Sequence, residues 1–341
     1  MTETNPPPAP DPAAEPSLFN KRAVFRRDAP LLVGERSDDA EGPDLPGWRL
    51  TARLGAGAFG QAWAAESLDD GRPGVAKVFD RSPEADSDAG TLIRRAERLV
   101  RVGRHPLLAG VLVIDPLHRP AYLVRRRFPA TLGDGRRRRG GPVAAETAAG
   151  WFEQLAVALH ALHCRGVFHA DLHPDNVLLD EAGRPHLADF GQHLIIAATG
   201  PRTGKALFMA PEQAVAPPAG KPAPWPEASW DLYSLGAVMY LALTGTAPHA
   251  DRIPPEWLAD RRELFARLDD YRRRVSAAPP PVRTRNPAVD PSLGLMVDTC
   301  LAPVPEERYA SAAQLVIDLR ARAAGLPISL VHLPPGATVI R

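Results

Sequence analysis

A chain of 341 residues, 45% apolar and 24% charged, is long enough for two lobes, each with its own core, and lies in the globular range. A formal net charge of +1 excludes bulk attraction to nucleic acid or acidic lipid, and no apolar run approaches the roughly 20 residues that span a bilayer. Two cysteines, Cys164 and Cys300, cannot form a disulfide framework, and the amino terminus lacks the pattern of an export signal, so a reducing cytoplasm is the expected location.

Residues 1–47 are rich in Pro, Ala, Asp and Glu and too poor in apolar residues to offset ordering entropy, which predicts a disordered lead-in. From Trp48 the pattern turns strand-like: WRLTARLG, GQAWAAES and PGVAKVF are each bounded by Gly, Pro or Asp turn signals. TLIRRAERLVRVG follows with Leu92, Ala96, Leu99 and Val100 at helical spacing, then short strands at VLVID and AYLVR. Residues 48–130 therefore read as a small antiparallel-sheet lobe with one main helix. FPATLGDGRRRRGGP reads as a break, with the basic run Arg136 to Arg139 read as a solvated loop or a contact for an acidic partner. Residues 131–324 are mainly helical. AAETAAGWFEQLAVALHALHCRG is periodic and closed by Gly166, DLYSLGAVMYLALTG is apolar nearly all round, and further helices are expected near EWLADRRELFARLDDYRRR, SLGLMVDTCL and ASAAQLVIDLRARAAG. Residues 325–341 are a tail. The fold class is α+β with two lobes.

Three groups of residues point to chemistry. Gly55, Gly57 and Gly60 have G-x-G-x-x-G spacing within LGAGAFGQAW, which suits either a tight turn or a phosphate-binding loop. A dinucleotide fold needs a helix straight after the glycines; here GQAWAAES continues as a strand, so the glycines sit at a hairpin tip. Lys77 lies on the next strand. With 37 Arg and only four Lys in the chain, a retained ammonium suits a site that needs a compact point charge. The third group is His169-Ala170-Asp171-Leu172-His173-Pro174-Asp175-Asn176 followed by Asp189-Phe190-Gly191. Its carboxylates and carboxamide, on loops flanking short apolar strands, suit a general base and oxygen ligands for Mg²⁺.

In order, GAGAFG, VAK, HADLHPDN, DFG, MAPE, DLYSLG and the late Arg of PEERYAS resemble the protein kinase superfamily over about 275 residues, in its bacterial eukaryotic-like serine/threonine kinase branch. Small-molecule kinases with a similar catalytic loop generally lack the MAPE and DLYSLG elements. The resemblance implies a two-lobed protein-kinase-like fold and ATP-dependent phosphoryl transfer to a protein hydroxyl. By that resemblance Asp171 is the base, Lys77 contacts the α- and β-phosphates of ATP, and Asn176 and Asp189 hold Mg²⁺. The nucleotide-binding set is Leu54, Gly55, Ala56, Gly57, Ala58, Phe59, Gly60, Ala62 and Lys77, with Glu97 as the acidic partner of Lys77. Glu212 and Arg308 resemble the family's buried ion pair, and Asp231 the residue that braces the catalytic loop. No nucleic-acid partner is implied, and the protein substrate is unidentified.

Several positions depart from the family pattern. Ala170 stands where many members have Arg, and His173 replaces the loop Lys. Lys205 stands where a Thr is usual, and its ammonium either reaches Asp171 and restores positive charge at the phosphoryl site or points from its loop to solvent. Counting back from His105-Pro106 puts Ala96, not Glu97, at the position of the acidic partner. Arg125 to Arg127 lie where the interlobe hinge is usually apolar or acidic. These departures leave open a second reading, a catalytically weak or inactive kinase-shaped interaction module.

Overall fold

The computed structural model describes residues 42–57, 60–80, 89–195, 205–215, 225–259, 263–264 and 266–332, without the side chains of 136–139 and 331–332. Most of the expected lead-in and of the carboxyl-terminal tail, together with Ala58, Phe59, Thr199 and Thr203, lies outside the described residues. The amino-terminal lobe is a five-stranded antiparallel sheet in the order β1-β2-β3-β5-β4, from strands β1 (Trp48–Gly57), β2 (Gly60–Ser67), β3 (Pro73–Phe79), β4 (Val111–Asp115) and β5 (Tyr122–Arg126). Side chains alternate across the sheet. One face buries Trp63, Ala65, Ala76, Val78, Tyr122 and Val124. The register pairs Ala62 with Lys77, Lys77 with Leu123, and Val75 with Arg125, so the opposite face brings Lys77 and Arg125 together.

Helix α1 (Ala89–Val102) lies against the sheet and buries Leu92, Ala96, Leu99 and Val100, the stripe that its periodicity predicts. The small lobe keeps its own core on the Trp63 face of the sheet, and a further cluster is shared by both lobes. The shared cluster runs from Phe79, Leu99 and Leu123 through Phe190 to Leu159, Leu232 and Leu315. Close packing at Gly191 is one reason: its φ is 66°, and a Cβ there would stand 2.5 Å from Leu99 Cδ2 and 3.0 Å from Val167 Cγ1.

The larger lobe is helical. Helix α2 (Leu132–Arg139) occupies the stretch that reads as a break. Helix α3 (Ala145–His163) buries Phe152, Leu155, Leu159 and Leu162 at helical intervals, and α4 (Ala228–Thr244) is buried continuously from Trp230 to Leu243. The long helical run expected around 256–274 forms two described helices, α5 (Pro255–Ala259) and α6 (Leu268–Val275). α7 (Val282–Arg285), α8 (Pro291–Cys300) and α9 (Ala312–Ala323) complete the lobe. Asp290 and Ser311 cap α8 and α9 by accepting from Leu293 N at 3.0 Å and Gln314 N at 3.2 Å. A three-stranded sheet of β6 (Ala130–Thr131), β7 (Val177–Leu179) and β8 (Pro185–Leu187) lies where the lobes meet. Cys300 is buried, whereas Cys164 is exposed at the end of α3. Among the described residues no helix is long and apolar enough to cross a membrane.

Candidate active site

β1 and β2 form a hairpin closed by the Gly57–Gly60 pair, so the glycine motif occupies its tip as the strand pattern predicts. Gly60 is required sterically: with φ at 148°, a Cβ would meet the Val78 carbonyl oxygen at 1.9 Å. Gly55 has open space around it, and Gly55, Ala56 and Leu54 are exposed along β1. Ala62 pairs with Lys77 across the strands. Lys77 Nζ lies 3.2 Å from Asp189 Oδ2. Glu97 is half-buried and not at salt-bridge distance from Lys77, while Ala96, one residue earlier, is the one that faces the interior. The helix phase therefore leaves no α1 carboxylate on Lys77, as the count from His105-Pro106 implies.

The loop carrying Asp171 is held from behind by α4. Asp231, fully buried, accepts from the His169 amide at 2.8 Å, from the Ala170 amide at 2.8 Å, and contacts His163 Nε2 at 2.8 Å. Burial works to raise the Asp231 pKa, but the His163 hydrogen bond and the His163 and His169 contacts outweigh it and hold the carboxyl below its ordinary value. Gln213 donates to the Ala170 carbonyl at 2.9 Å. Ala170 (φ 62°) and Asp189 (φ 59°) are the two non-glycine residues with positive φ among the described residues. Such a conformation costs about 1–3 kcal/mol each and persists where surrounding bonds over-determine it. Both flank the same cleft.

The β7–β8 hairpin sets the remaining groups side by side. Val177 pairs with Leu187, and Ala188 N donates to the Asn176 carbonyl at 2.9 Å, which brings Asn176 and Asp189 to the same end. Asn176 donates Nδ2–H to the Asp171 carbonyl at 2.8 Å, leaving its Oδ1 as the acceptor end. Asp189 Oδ1 is buried without a hydrogen-bond donor; its neighbour is Arg125 Nε at 3.5 Å. Burial favours the neutral Asp189, yet Lys77 and Arg125 outweigh it and hold the carboxyl at about 2. A buried carboxylate oxygen lacking a donor, on a residue at the same hairpin end as a carboxamide, fits the hard oxygen preference of Mg²⁺.

His173 lies between two carboxylates, with Nε2 4.0 Å from Asp171 Oδ2 and Nδ1 3.8 Å from Asp175 Oδ2. Burial, reinforced by the Lys205 charge, pushes its pKa down to about 3, so the ring is neutral near pH 7. Lys205 Nζ forms its ion pair with Asp175 and is half exposed, placing the ammonium on the Asp175 side of His173 and not on Asp171. Glu212 and Arg308 make a two-pronged pair at 2.6 and 2.9 Å, with Arg308 wholly buried.

The sequence model of the protein kinase domain family matches residues 48–318. The chain belongs to this family. Serine/threonine-protein kinase Pkn1 of Myxococcus xanthus is 30% identical over 298 residues, covering 84% of this chain and 39% of Pkn1. The DNA damage-responsive serine/threonine-protein kinase RqkA of Deinococcus radiodurans is 31% identical over 283 residues, covering 79% of this chain and 38% of RqkA. This protein kinase chain thus spans about two fifths of the length of these relatives. The crystal structure of the Mycobacterium tuberculosis PknI kinase domain shares the fold, with a TM-score of 0.57 at 21% identity, covering 83% of this chain and 99% of that one.

Two contacts of the kinase domain's cleft escape a reading of the sequence. His163, the last residue of α3, is the ring that faces Asp231, and its only signal is its place at the helix end before Gly166. Arg125 reaches Asp189 because the strand register puts it on the face of Lys77, which cannot be known before β5 is aligned with β3.

Proposed function

We propose that this protein kinase domain transfers the γ-phosphoryl group of ATP to a serine or threonine hydroxyl of a protein substrate. The observation that carries the reading is that Lys77, Asp171, Asn176 and Asp189, spread over 113 positions of sequence, meet in one cleft between the lobes. In this reading Asp171 accepts the proton of the attacking hydroxyl. Its carboxylate is partly exposed, and its backbone is fixed by Asn176 on one side and by the Asp231-anchored amides on the other. Lys77 supplies a fixed positive charge toward the phosphates, and the glycine-rich hairpin closed by the Gly57–Gly60 pair stands over them. Asn176 and Asp189 would hold Mg²⁺, which when bound neutralises negative charge on the phosphate oxygens. Lys205 takes a supporting role: its pair with Asp175 ties the segment before MAPE to the catalytic loop. The serine/threonine preference rests on the names of the relatives.

Purified protein incubated with Mg²⁺ and ATP should show turnover or autophosphorylation that Asp171→Asn abolishes. Equal rates for parent and variant would remove the base assignment. Absence of turnover in the parent, with the fold intact, would leave the interaction-module reading in its place.

A further inference from the structure

Lys77 and Arg125 share one carboxylate. They sit on adjacent strands, and Val75↔Arg125 and Lys77↔Leu123 are paired positions, so both side chains leave the sheet on the side of Asp189. Lys77 takes Oδ2 at 3.2 Å as a hydrogen-bonded ion pair. Arg125 stands at Oδ1 at 3.5 Å, and that oxygen has no hydrogen-bond donor. The arginine therefore holds Oδ1 by charge alone.

Two features make that charge contact consequential. The recess around it is walled by Leu99, Val111, Leu123 and Phe190, and both side chains of the pair are only 15% exposed, so water screens it weakly. No α1 carboxylate competes for the cations, since Ala96 fills the inward position and Glu97 stays away from Lys77. Both cations bear on Asp189, and Arg125 stands beside its carboxylate oxygen that lacks a hydrogen bond.

Resting on the nucleotide site proposed above, we propose that Arg125 is a specificity-determining residue that competes with a divalent cation for Asp189 Oδ1 and so raises the metal concentration at which nucleotide is bound. The contact is long and lacks a hydrogen bond, so Arg125 can give it up without leaving a broken hydrogen bond behind. Lys77 is not displaced in this scheme, because it occupies the other oxygen.

The test is binding, not turnover. Fluorescently labelled ADP is titrated onto the full chain at increasing Mg²⁺, for the parent, Arg125→Leu and Arg125→Lys. The Mg²⁺ concentration giving half-maximal binding should fall by about fivefold in Arg125→Leu, the size expected for removing a competing, partly buried charge contact. Arg125→Lys, whose shorter stem keeps the charge, should lie between. Binding by Arg125→Leu alone, with none by the parent, also supports the competition. A midpoint that is unchanged or raised in Arg125→Leu overturns it while leaving the nucleotide site standing. If no form binds labelled ADP at any Mg²⁺ concentration, the nucleotide reading fails and this inference with it. Arg125→Lys keeps the test decisive should the leucine variant fail to fold.

Discussion

Replacing Glu212 by Gln tests how much the large lobe depends on one buried ion pair. Arg308 uses all five of its donors: Nε to the Ala302 carbonyl at 2.8 Å, Nη1 to Glu212 at 2.6 Å and the Ser229 carbonyl at 2.9 Å, and Nη2 to Glu212 at 2.9 Å and the Pro303 carbonyl at 3.2 Å. Its side chain has no solvent access, and its guanidinium lies 4.9 Å from the Tyr233 ring. Glu212→Gln leaves that cation buried without a counter-charge and turns an amide N–H₂ toward a donor. Breaking a buried pair from one side costs about 3–5 kcal/mol. Divided by a urea dependence of about 3 kcal/mol/M, that is a midpoint shift of about 1–1.7 M. Tryptophan fluorescence through urea unfolding reads it directly. Because Arg308→Met removes the cation, the Glu212→Gln, Arg308→Met double variant should be little worse than either single variant, with a coupling of at least about 2 kcal/mol. Gln213, the next residue, holds the Ala170 carbonyl, so turnover should fall along with stability. A loss below about 1 kcal/mol, or additive single effects, would refute the reasoning.

Lys77→Met should bind ATP within about tenfold of the parent while losing most turnover, because aligning the phosphates matters most in the transition state; surviving turnover would remove Lys77 from its assigned place. A Thr199→Ala, Thr203→Ala protein should keep its rate, since the catalytic loop is braced by Asp231, His163 and Gln213 and Ala170 offers no cation to a phosphate; a hundredfold drop with the fold intact, about 2.7 kcal/mol, would contradict this. Lys205→Ala should change turnover by less than about threefold, as its pair with Asp175 is at the surface, and a tenfold drop would mean its charge reaches the phosphoryl site. Acid should destabilise the fold in two windows. Burial lowers the His249 pKa from 6.5 to about 4, so the unfolded chain takes up that proton first and stability declines from about pH 6.5 to 4; Asp189, at about 2 against 3.8, adds a decline from about pH 4 to 2. Urea midpoints should fall less steeply between about pH 6.5 and 4 in His249→Phe, the remaining slope there including that of His173, and an unchanged profile would disprove the assignment.

The sheet was readable because each of its strands is fenced by turn residues and alternates: Gly60–Ser67 and Pro73–Phe79 coincide with the turn-bounded stretches. The buried helix α4 was readable because it is apolar nearly all round. α2 was not, since Gly and Arg dominate it and periodicity is weak. Its signal was nonetheless present as Thr131-Leu132-Gly133-Asp134, a capping box in which the Asp134 amide donates to Thr131 Oγ1 at 2.9 Å and the Thr131 amide to Asp134 Oδ2 at 3.1 Å. In the site, the order of Asp171, Asn176 and Asp189 along the chain was enough to group them, because a hairpin joins them locally. What Lys77 touches was not legible. It depends on the phase of α1, which turns Ala96 inward, and on the strand register that brings Arg125 alongside, and both are settled only by packing.

The Asp231 anchor makes the position of Asp171, the base proposed above, a property of the rear of the large lobe. Five residues along the same helix, about 7.5 Å by helical rise, Gly236 packs so tightly on α8 that a Cβ would stand 2.6 Å from Cys300 Cβ. A methyl group there would push α4 as a rigid rod and carry Asp231 with it. The glycine hairpin and Lys77 belong to the other lobe and would stay in place. Lesions of this kind would separate the two halves of the reaction, yielding protein that still captures nucleotide but has its proton acceptor out of line, and a search for inactive variants would find them far from the cleft.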